Sequence, residues 1–369
     1  MNQPPLIVHT ESSRVWGGQE IRVLTELTAM RNRGCRVALI ATEGAPIVSR
    51  ARAAELPVHT LPAFRKLHPN TWPRLARLVR QLRPAVLNTH SSEDSWTAAP
   101  LARVLGVPLV LRTRHVLSAV SSTVSYRFPH ELLACSVAIA DALTQQGLPR
   151  AHINVVPTGN DAERFRFSPE KRAEMRQRFG LEDTDVLIGN VGFLRAYKGL
   201  DFILDTLAGL EARYRVMLVG DGDLRTALET QAARLGLQDR VIFAGHQERP
   251  EDFLHAFDIF FFSSNAAEGI SQSLVQALLN GLPIVACDLS STVEALEGVA
   301  ASCLVAYGDV AAARRALAGP SALPRRDPAR MSAQHEAIAA RYGLPAMTAR
   351  LEAIYARYGI VLPADEKGG

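Results

Sequence analysis

The stretch Ala267–Asp288, AEGISQSLVQALLNGLPIVACD, decides how the chain is read. It sets an acid beside a glycine, Glu268-Gly269, ahead of a short apolar run, a Gly-Leu-Pro turn at 281–283 and a second apolar run. The first run has helix spacing and the second has strand composition, so an acid stands at the mouth of an α/β unit. Ser271 is the expected N-cap, and Gly281 the φ > 0 residue that ends the helix after Asn280. A helix over roughly residues 272–280 exposes unpaired N–H groups and a partial positive charge at its start, where a phosphate can dock.

Working outward, the 369 residues exceed the length over which one core keeps growing, so two domains of about 150 to 200 residues are expected. Apolar residues at 47% and charged residues at 21% are ordinary for a globular enzyme. Apolar runs of strand length alternate with amphipathic stretches of helix length, the pattern of parallel sheets with crossover helices. In the first half the expected strands are 5–10, 36–41, 85–89, 108–113, 132–136 and 154–157, with helices over 18–31, 72–82 and 94–105. The alternation restarts with strands 186–191, 215–219, 240–243, 259–262, 283–286 and 302–305.

Two doubly wound α/β domains follow, with the cleft between them as the expected site, since open α/β sheets bind ligands at the carboxyl ends of their strands. Pro157, Gly159 and Pro169 punctuate the loop that carries the boundary. The expected domains are residues 1–163, residues 164–340 and a terminal helical segment, 341–369, broken at 343–345.

The signature at 267–288 resembles the donor-binding motif of retaining glycosyltransferases of family 4, built on the GT-B fold. Their pattern is Glu, seven residues, Glu, a small-residue helix, Gly-x-Pro and an apolar strand. Glu268 matches the first acid and Gly281-Leu282-Pro283 the turn, while Gln276 replaces the second acid. In the family the first acid lies against the donor sugar and the second holds the ribose hydroxyls. A glutamine can still bond a ribose diol, without charge assistance. The resemblance places Gly269, Ile270, Ser271, Ser273, Leu274 and Gln276 along the donor, and it implies that the terminal helix crosses back onto the first domain.

Other segments carry the resemblance further, from about residue 15 to residue 295 in family order. Trp16-Gly17-Gly18-Gln19-Glu20 follows the first strand and lets backbone approach a diphosphate at Gly17 and Gly18, although a paired glycine is also a plain tight turn. His115 ends Arg112-Thr113-Arg114-His115 after a buried strand and matches the family histidine set against the donor sugar; a structural histidine is the other reading. His90 is either an acceptor-side contact or a loop histidine, and Arg112 and Arg114 are further acceptor-side candidates.

In the second domain, Gly192-Phe193-Leu194-Arg195-Ala196-Tyr197-Lys198-Gly199 is similar to the family's Gly-Arg segment with a lysine five residues after the arginine. Lys198 matches, Phe193 occupies the arginine position, and Arg195 is expected to substitute by reaching the same phosphate. Gly220-Asp221-Gly222 is similar to the family's Gly-Asp-Gly turn, Gly245 and His246 are expected beside the nucleotide, Asp223 to cap a helix, and Glu294 to start one.

The resemblance implies transfer of a glycosyl group, with retention, from a nucleotide sugar to a hydroxyl of a glycan or glycolipid, in the hexosyl- or heptosyltransferase class. Glu268 and His115 would orient the sugar, and Lys198, Arg195 and the helix start would stabilise the leaving diphosphate. No metal or other cofactor is expected. Through residue 165 there are 19 Lys/Arg against 11 Asp/Glu, and the remaining 22 against 26 bring the chain to +4. The basic first half is either solvated arginines, such as Arg74, Arg77, Arg80 and Arg83, or a surface for an anionic acceptor or the cytoplasmic face of an acidic inner membrane.

Nucleic acid is not expected, for want of an aromatic-interleaved basic motif. Cys35, Cys135, Cys287 and Cys303 are too scattered for metal spacing and read as buried thiols. A polar start without an apolar signal core points to a cytoplasmic protein. A glycoside hydrolase would need a second carboxylate about 5 to 9 Å from Glu268, and a phosphorylase normally has a longer chain with a cofactor lysine. A nucleotide-sugar epimerase on the same fold and a non-catalytic nucleotide-sugar binder stay open.

Overall fold

The computed structural model describes residues 3–64, 70–118, 122–265, 269–318, 323 and 326–363. The chain divides into two compact units, Met1–Gly159 with Tyr342–Gly369, and Asn160–Arg341. In the first, seven parallel strands form one sheet: β1 (Leu6–Glu11), β2 (Arg36–Thr42), β3 (Val58–Leu61), β4 (Val86–Thr89), β5 (Leu109–Arg114), β6 (Glu131–Ala134) and β7 (Ile153–Val155). Their order is β3-β2-β1-β4-β5-β6-β7, so the sheet reverses its winding between β1 and β4. The expected strands all form, within a residue or two at their ends, and β3 is an addition. Its sequence, VHTL, is a half-polar edge strand of four residues with no buried run to announce it.

Helices cover both faces of this sheet, which is why its strands read as continuous apolar runs. Alternate side chains separate the two faces. Ile7, Leu39, Leu109 and Leu111 pack with Val23 and Leu27 of helix Gly18–Asn32, and Met347, Leu351 and Tyr355 of helix Leu344–Ala356 complete that core. On the other face, Leu6, Val8, Ile40 and Val110 meet Leu75 and Val79 of helix Thr71–Leu82 and Ala98, Ala99 and Ala102 of helix Ser92–Val104. Burying one such leucine or isoleucine contributes about 1.5–3 kcal/mol, so the terminal helix is a structural member of the first unit.

The second unit holds six parallel strands: β8 (Val186–Val191), β9 (Tyr214–Val219), β10 (Val241–Gly245), β11 (Ile259–Phe262), β12 (Ile284–Cys287) and β13 (Ser302–Val305). Their order is β10-β9-β8-β11-β12-β13, with the reversal between β8 and β11. Ile188, Phe202, Leu204, Val216, Phe261 and Val285 lie in its core. Helix Gln272–Leu279 ends as expected, with Gly281 at φ +75°. A side chain on Gly281 would also strike Met331, whose helix, Pro328–Tyr342, lies across this corner. Gln334 of that helix donates to the carbonyls of Leu278 (3.0 Å) and Leu282 (3.1 Å).

Ser271 occupies the N-cap position as expected, with its hydroxyl 3.1 Å from the Ser273 hydroxyl and no side-chain capping bond. Two local expectations are corrected. Asp223 does not cap helix Arg225–Arg234, because Leu224 holds that position inside a turn closed by Leu194 and Gly222 carbonyls. Glu294 is the fifth residue of helix Ser290–Leu296, not a starting acid. Among the described residues no helix is long and apolar enough to cross a membrane.

Candidate active site

Each sheet places its candidate residues at or just past the carboxyl ends of its strands, the side on which an open α/β sheet binds ligands. In the second unit the turn after β8 is pinned from two sides. Gly192 N donates to Val219 O (2.9 Å), Leu194 N to Asp221 O (3.1 Å) and Asn265 N to Tyr197 O (2.9 Å). The Ser263 hydroxyl, just past β11, donates to the Lys198 carbonyl (2.7 Å). The glycines of β9's exit allow this packing: a Cβ on Gly220 would sit 1.9 Å from Gly192 O, and one on Gly222 would sit 2.6 Å from Leu194 O. The resemblance marked Gly-Asp-Gly as a turn; its close backbone contact with the lysine-bearing loop emerges only in the fold.

Lys198 is half-buried, with Nζ 5.0 Å from the Tyr197 ring centre and 5.7 Å from that of Phe262. The Arg195 guanidinium carbon lies 4.9 Å from the centre of the exposed Phe193 ring, so these two residues stack on one another. Gly245 ends β10 and accepts from Gly220 N (2.8 Å); His246 beyond it is exposed. Gly269 is buried and Ile270 half-buried, and on the following helix Leu274 is buried while Ser273 and Gln276 are half-buried. The start of helix Gln272–Leu279 thus belongs to the connection leaving β11, the strand whose end holds the Lys198 turn. Glu268 lies outside the described residues.

In the first unit, Gly17 is the extended N-cap of helix Gly18–Asn32, and its carbonyl accepts from Ile21 N (3.0 Å). Beside it, the buried Glu11 carboxylate accepts from Ser91 Oγ (2.6 Å), Ser13 N (2.8 Å) and Gln19 Nε2 (2.8 Å). These bonds tie the loop after β1 to the loop after β4. Asp94, also buried, accepts from Thr10 Oγ1 (2.6 Å) and His90 N (2.9 Å). Burial first, then the Glu11 charge, pushes the Asp94 carboxyl up to about 8, and burial raises Glu11 as well.

His115 follows β5 directly and is half-buried. Its Nε2 lies 2.9 Å from His90 Nδ1, and its Nδ1 lies 3.5 Å from Cys135 Sγ. His90 is buried, and its Nε2 lies 2.9 Å from His9 Nδ1. Burial is the main cause that holds the His90 and His115 rings well below the ordinary histidine range, with Arg22 and the neighbouring rings adding to it. His9, Arg22, Glu26 and Cys135 were not among the sequence candidates. His9 interrupts an apolar strand, and that polar ring in β1 was the available signal.

Two arginines of β5 itself are tied to the loop that follows it. Arg112 is buried, donates to Ser125 Oγ (2.6 Å) and holds its guanidinium 3.5 Å from the Tyr126 ring centre. Arg114 donates to the Ser118 carbonyl (2.6 Å) and hydroxyl (3.0 Å). Both brace the loop after β5, and His90 bonds to its ring partners.

Against this geometry, residues 16–164 match the model of Glycosyltransferase Family 4, and residues 185–319 match that of Glycosyl transferases group 1. The chain belongs to the GT-B glycosyltransferases of the group 1 and family 4 type. It is 27% identical over 295 residues to the 2-deoxystreptamine glucosyltransferase of Streptomyces kanamyceticus, covering 73% of this chain and 76% of that one. Over 183 residues it is 33% identical to the mannosylfructose-phosphate synthase of Agrobacterium fabrum, covering 43% of this chain and 40% of that protein. That match therefore spans about two-fifths of the relative's length. The crystal structure of Anabaena HepE in complex with UDP superposes with a TM-score of 0.81 at 19% identity, covering 96% of this chain and 100% of that one. In family terms, the Lys198 loop lies in the group 1 match, and His90 and His115 lie in the family 4 match.

Proposed function

We propose that the protein is a retaining glycosyltransferase that moves a sugar from a nucleotide sugar to a hydroxyl of a glycan or glycolipid acceptor, in building a bacterial lipopolysaccharide or surface polysaccharide. The observation that carries this reading is the Lys198 loop, braced by β9 and β11 at the winding reversal of the second sheet. A fixed cation there, with the helix start at Gln272 on the same strand-end surface, suits a leaving nucleoside diphosphate.

In the proposed reaction the bond from the anomeric carbon to the diphosphate breaks and a bond to the acceptor oxygen forms on the same face. The acceptor proton passes to the departing phosphate oxygen. Lys198 and Arg195 take up the growing negative charge, while Glu268 and His115 hold the sugar. Gly17, Gly18, Gly192, Gly245, His246, Gly269, Ile270, Ser271, Ser273, Leu274 and Gln276 line the donor. This scheme uses no metal. The basic balance of the first 165 residues supports an anionic acceptor or an acidic membrane face near the first unit.

A thermal-shift screen of UDP, GDP, ADP and CMP sugars identifies the donor, since a ligand bound only by the native state raises its melting temperature. UDP sugars come first, because HepE was solved with UDP. Diphosphate release is then followed with and without an acceptor extract, and the product anomer is read by NMR. Acceptor-dependent release with retention is expected. Binding without release would refute the transferase in favour of a pseudoenzyme, and isomerisation without acceptor would favour an epimerase.

A further inference from the structure

Six side chains in the first unit close into a ring: Glu26, His9, His90, His115, Cys135 and Arg22. From one end, His9 Nε2 lies 3.4 Å from Glu26 Oε1, and the rings of His9, His90 and His115 follow at 2.9 Å each. His115 Nδ1 meets Cys135 Sγ at 3.5 Å, Arg22 Nη1 lies 3.5 Å from the same sulfur, and Arg22 Nη2 lies 3.4 Å from Glu26 Oε2. All are buried except His115, which is half-buried and is the ring's one opening. His9 comes from β1, Arg22 and Glu26 from the first helix, and His90, His115 and Cys135 from the residues just past β4, β5 and β6, so the arrangement belongs to the fold and not to any local motif.

Ring nitrogens this close must alternate donor and acceptor, and a carboxylate decides which way. A lone pair on His9 Nε2 facing a buried carboxylate would be repelled, so the proton sits on Nε2. In the neutral ring His9 Nδ1 is then an acceptor, and His90 Nε2–H donates a hydrogen bond to it. By the same logic His90 Nδ1 takes the His115 Nε2 proton, which leaves His115 Nδ1 as an acceptor toward the Cys135 thiol. Arg22, a donor only, completes the circuit at both the sulfur and the carboxylate without conflict. Glu26 is suited to be this anchor because the Arg22 guanidinium and the Asn88 amide, 3.5 Å from Oε1, face it as donors and hold it as the acceptor.

We propose that His9, His90 and Glu26 are positioning residues that lock His115 as the neutral tautomer with its proton on Nε2, presenting Nδ1 as an acceptor for a hydroxyl of the bound sugar. The weak thiol contact is the part of the circuit that a ligand hydroxyl can replace. The inference rests on the proposed contact of His115 with the donor sugar. It predicts that the chain accepts, and does not donate, a hydrogen bond there, which selects a donor hydroxyl that can point its proton at the ring.

The test is long-range proton–nitrogen NMR on the full chain carrying nitrogen-15 histidine, with His115 signals assigned by the His115→Gln variant. Wild type is expected to show His115 neutral with its proton on Nε2. Glu26→Gln keeps the volume but can donate to His9 Nε2, which reverses every bond and should move the His115 proton to Nδ1. His9→Phe cuts the chain and should give a mixture of tautomers; it serves also if Glu26→Gln fails to fold. Transfer turnover should fall about tenfold in the folded variants, about 1.4 kcal/mol of barrier. A proton on Nδ1 or a charged ring in wild type, or a tautomer that neither variant moves, overturns the lock. A tautomer that moves as expected while wild type transfers no sugar faults the transferase reading instead.

Discussion

Gly220→Ala tests how the second sheet builds the lysine loop. Gly220 has φ +138°, and a Cβ there would lie 1.9 Å from Gly192 O and 2.9 Å from Gly192 C. Both obstacles are backbone, so no side chain can swing aside. Strain at such a φ costs about 1–3 kcal/mol and forced displacement about 1–3 kcal/mol, so a loss of roughly 2–6 kcal/mol is expected. At about 2–4 °C per kcal/mol for a unit of this size, melting falls by roughly 4–24 °C. The control is Gly236→Ala, at φ +68° with open space around it. It meets only the left-handed penalty of about 1–2 kcal/mol.

Calorimetry gives the two melting temperatures, and titration with the donor identified by screening gives affinities below the transition. Displacing Gly192 moves the loop that carries Lys198, so Gly220→Ala loses donor affinity as well as stability, while Gly236→Ala keeps affinity. Equal melting of the two variants, with wild-type donor affinity in Gly220→Ala, would refute the claim that backbone contact at β9 holds this loop.

Lys198→Ala removes one preorganised cation and should lower turnover by about 10²–10³-fold at unchanged melting temperature, with Lys198→Arg losing less; diphosphate release measures this, and an unchanged rate counts against the assigned role. For Asp94 the folded carboxyl is pushed up to about 8, so the folded state keeps a proton that the unfolded chain releases. That destabilisation is absent below the ordinary carboxylate value and grows as pH rises toward about 8. Asp94→Asn cannot titrate, so its melting temperature should depend less on pH over this window than that of wild type. Parallel pH curves for the two proteins would show that Asp94 is ionised throughout.

The strands could be read in advance because a parallel sheet covered on both faces demands continuous apolar runs, and IFFF at β11 or IVAC at β12 can be little else. Edge strand β3 escaped because VHTL carries no such run. Strand-end residues such as Lys198 and His115 were legible for a related reason, since ligands meet open α/β sheets at those ends. Chain order, spacing and a glycine before or after an apolar run are local properties, and the sequence by itself determined them.

Partnership was decided elsewhere. Gln276, Gly192 and Lys198 could be named one by one, but not the pressing of Gly192 against Gly220. Gly220 stood in the sequence as a turn glycine, and only the approach of β9 to β8 makes it a steric requirement. His9 and Glu26 look like blemishes in an apolar strand and an ordinary helix. They become a circuit with His90, His115, Cys135 and Arg22 because the sheet order brings β1, β4, β5 and β6 side by side, with the first helix across them. A buried polar group must find its partner within reach in space, and residues 9, 90 and 115 are neighbours only after the chain has folded.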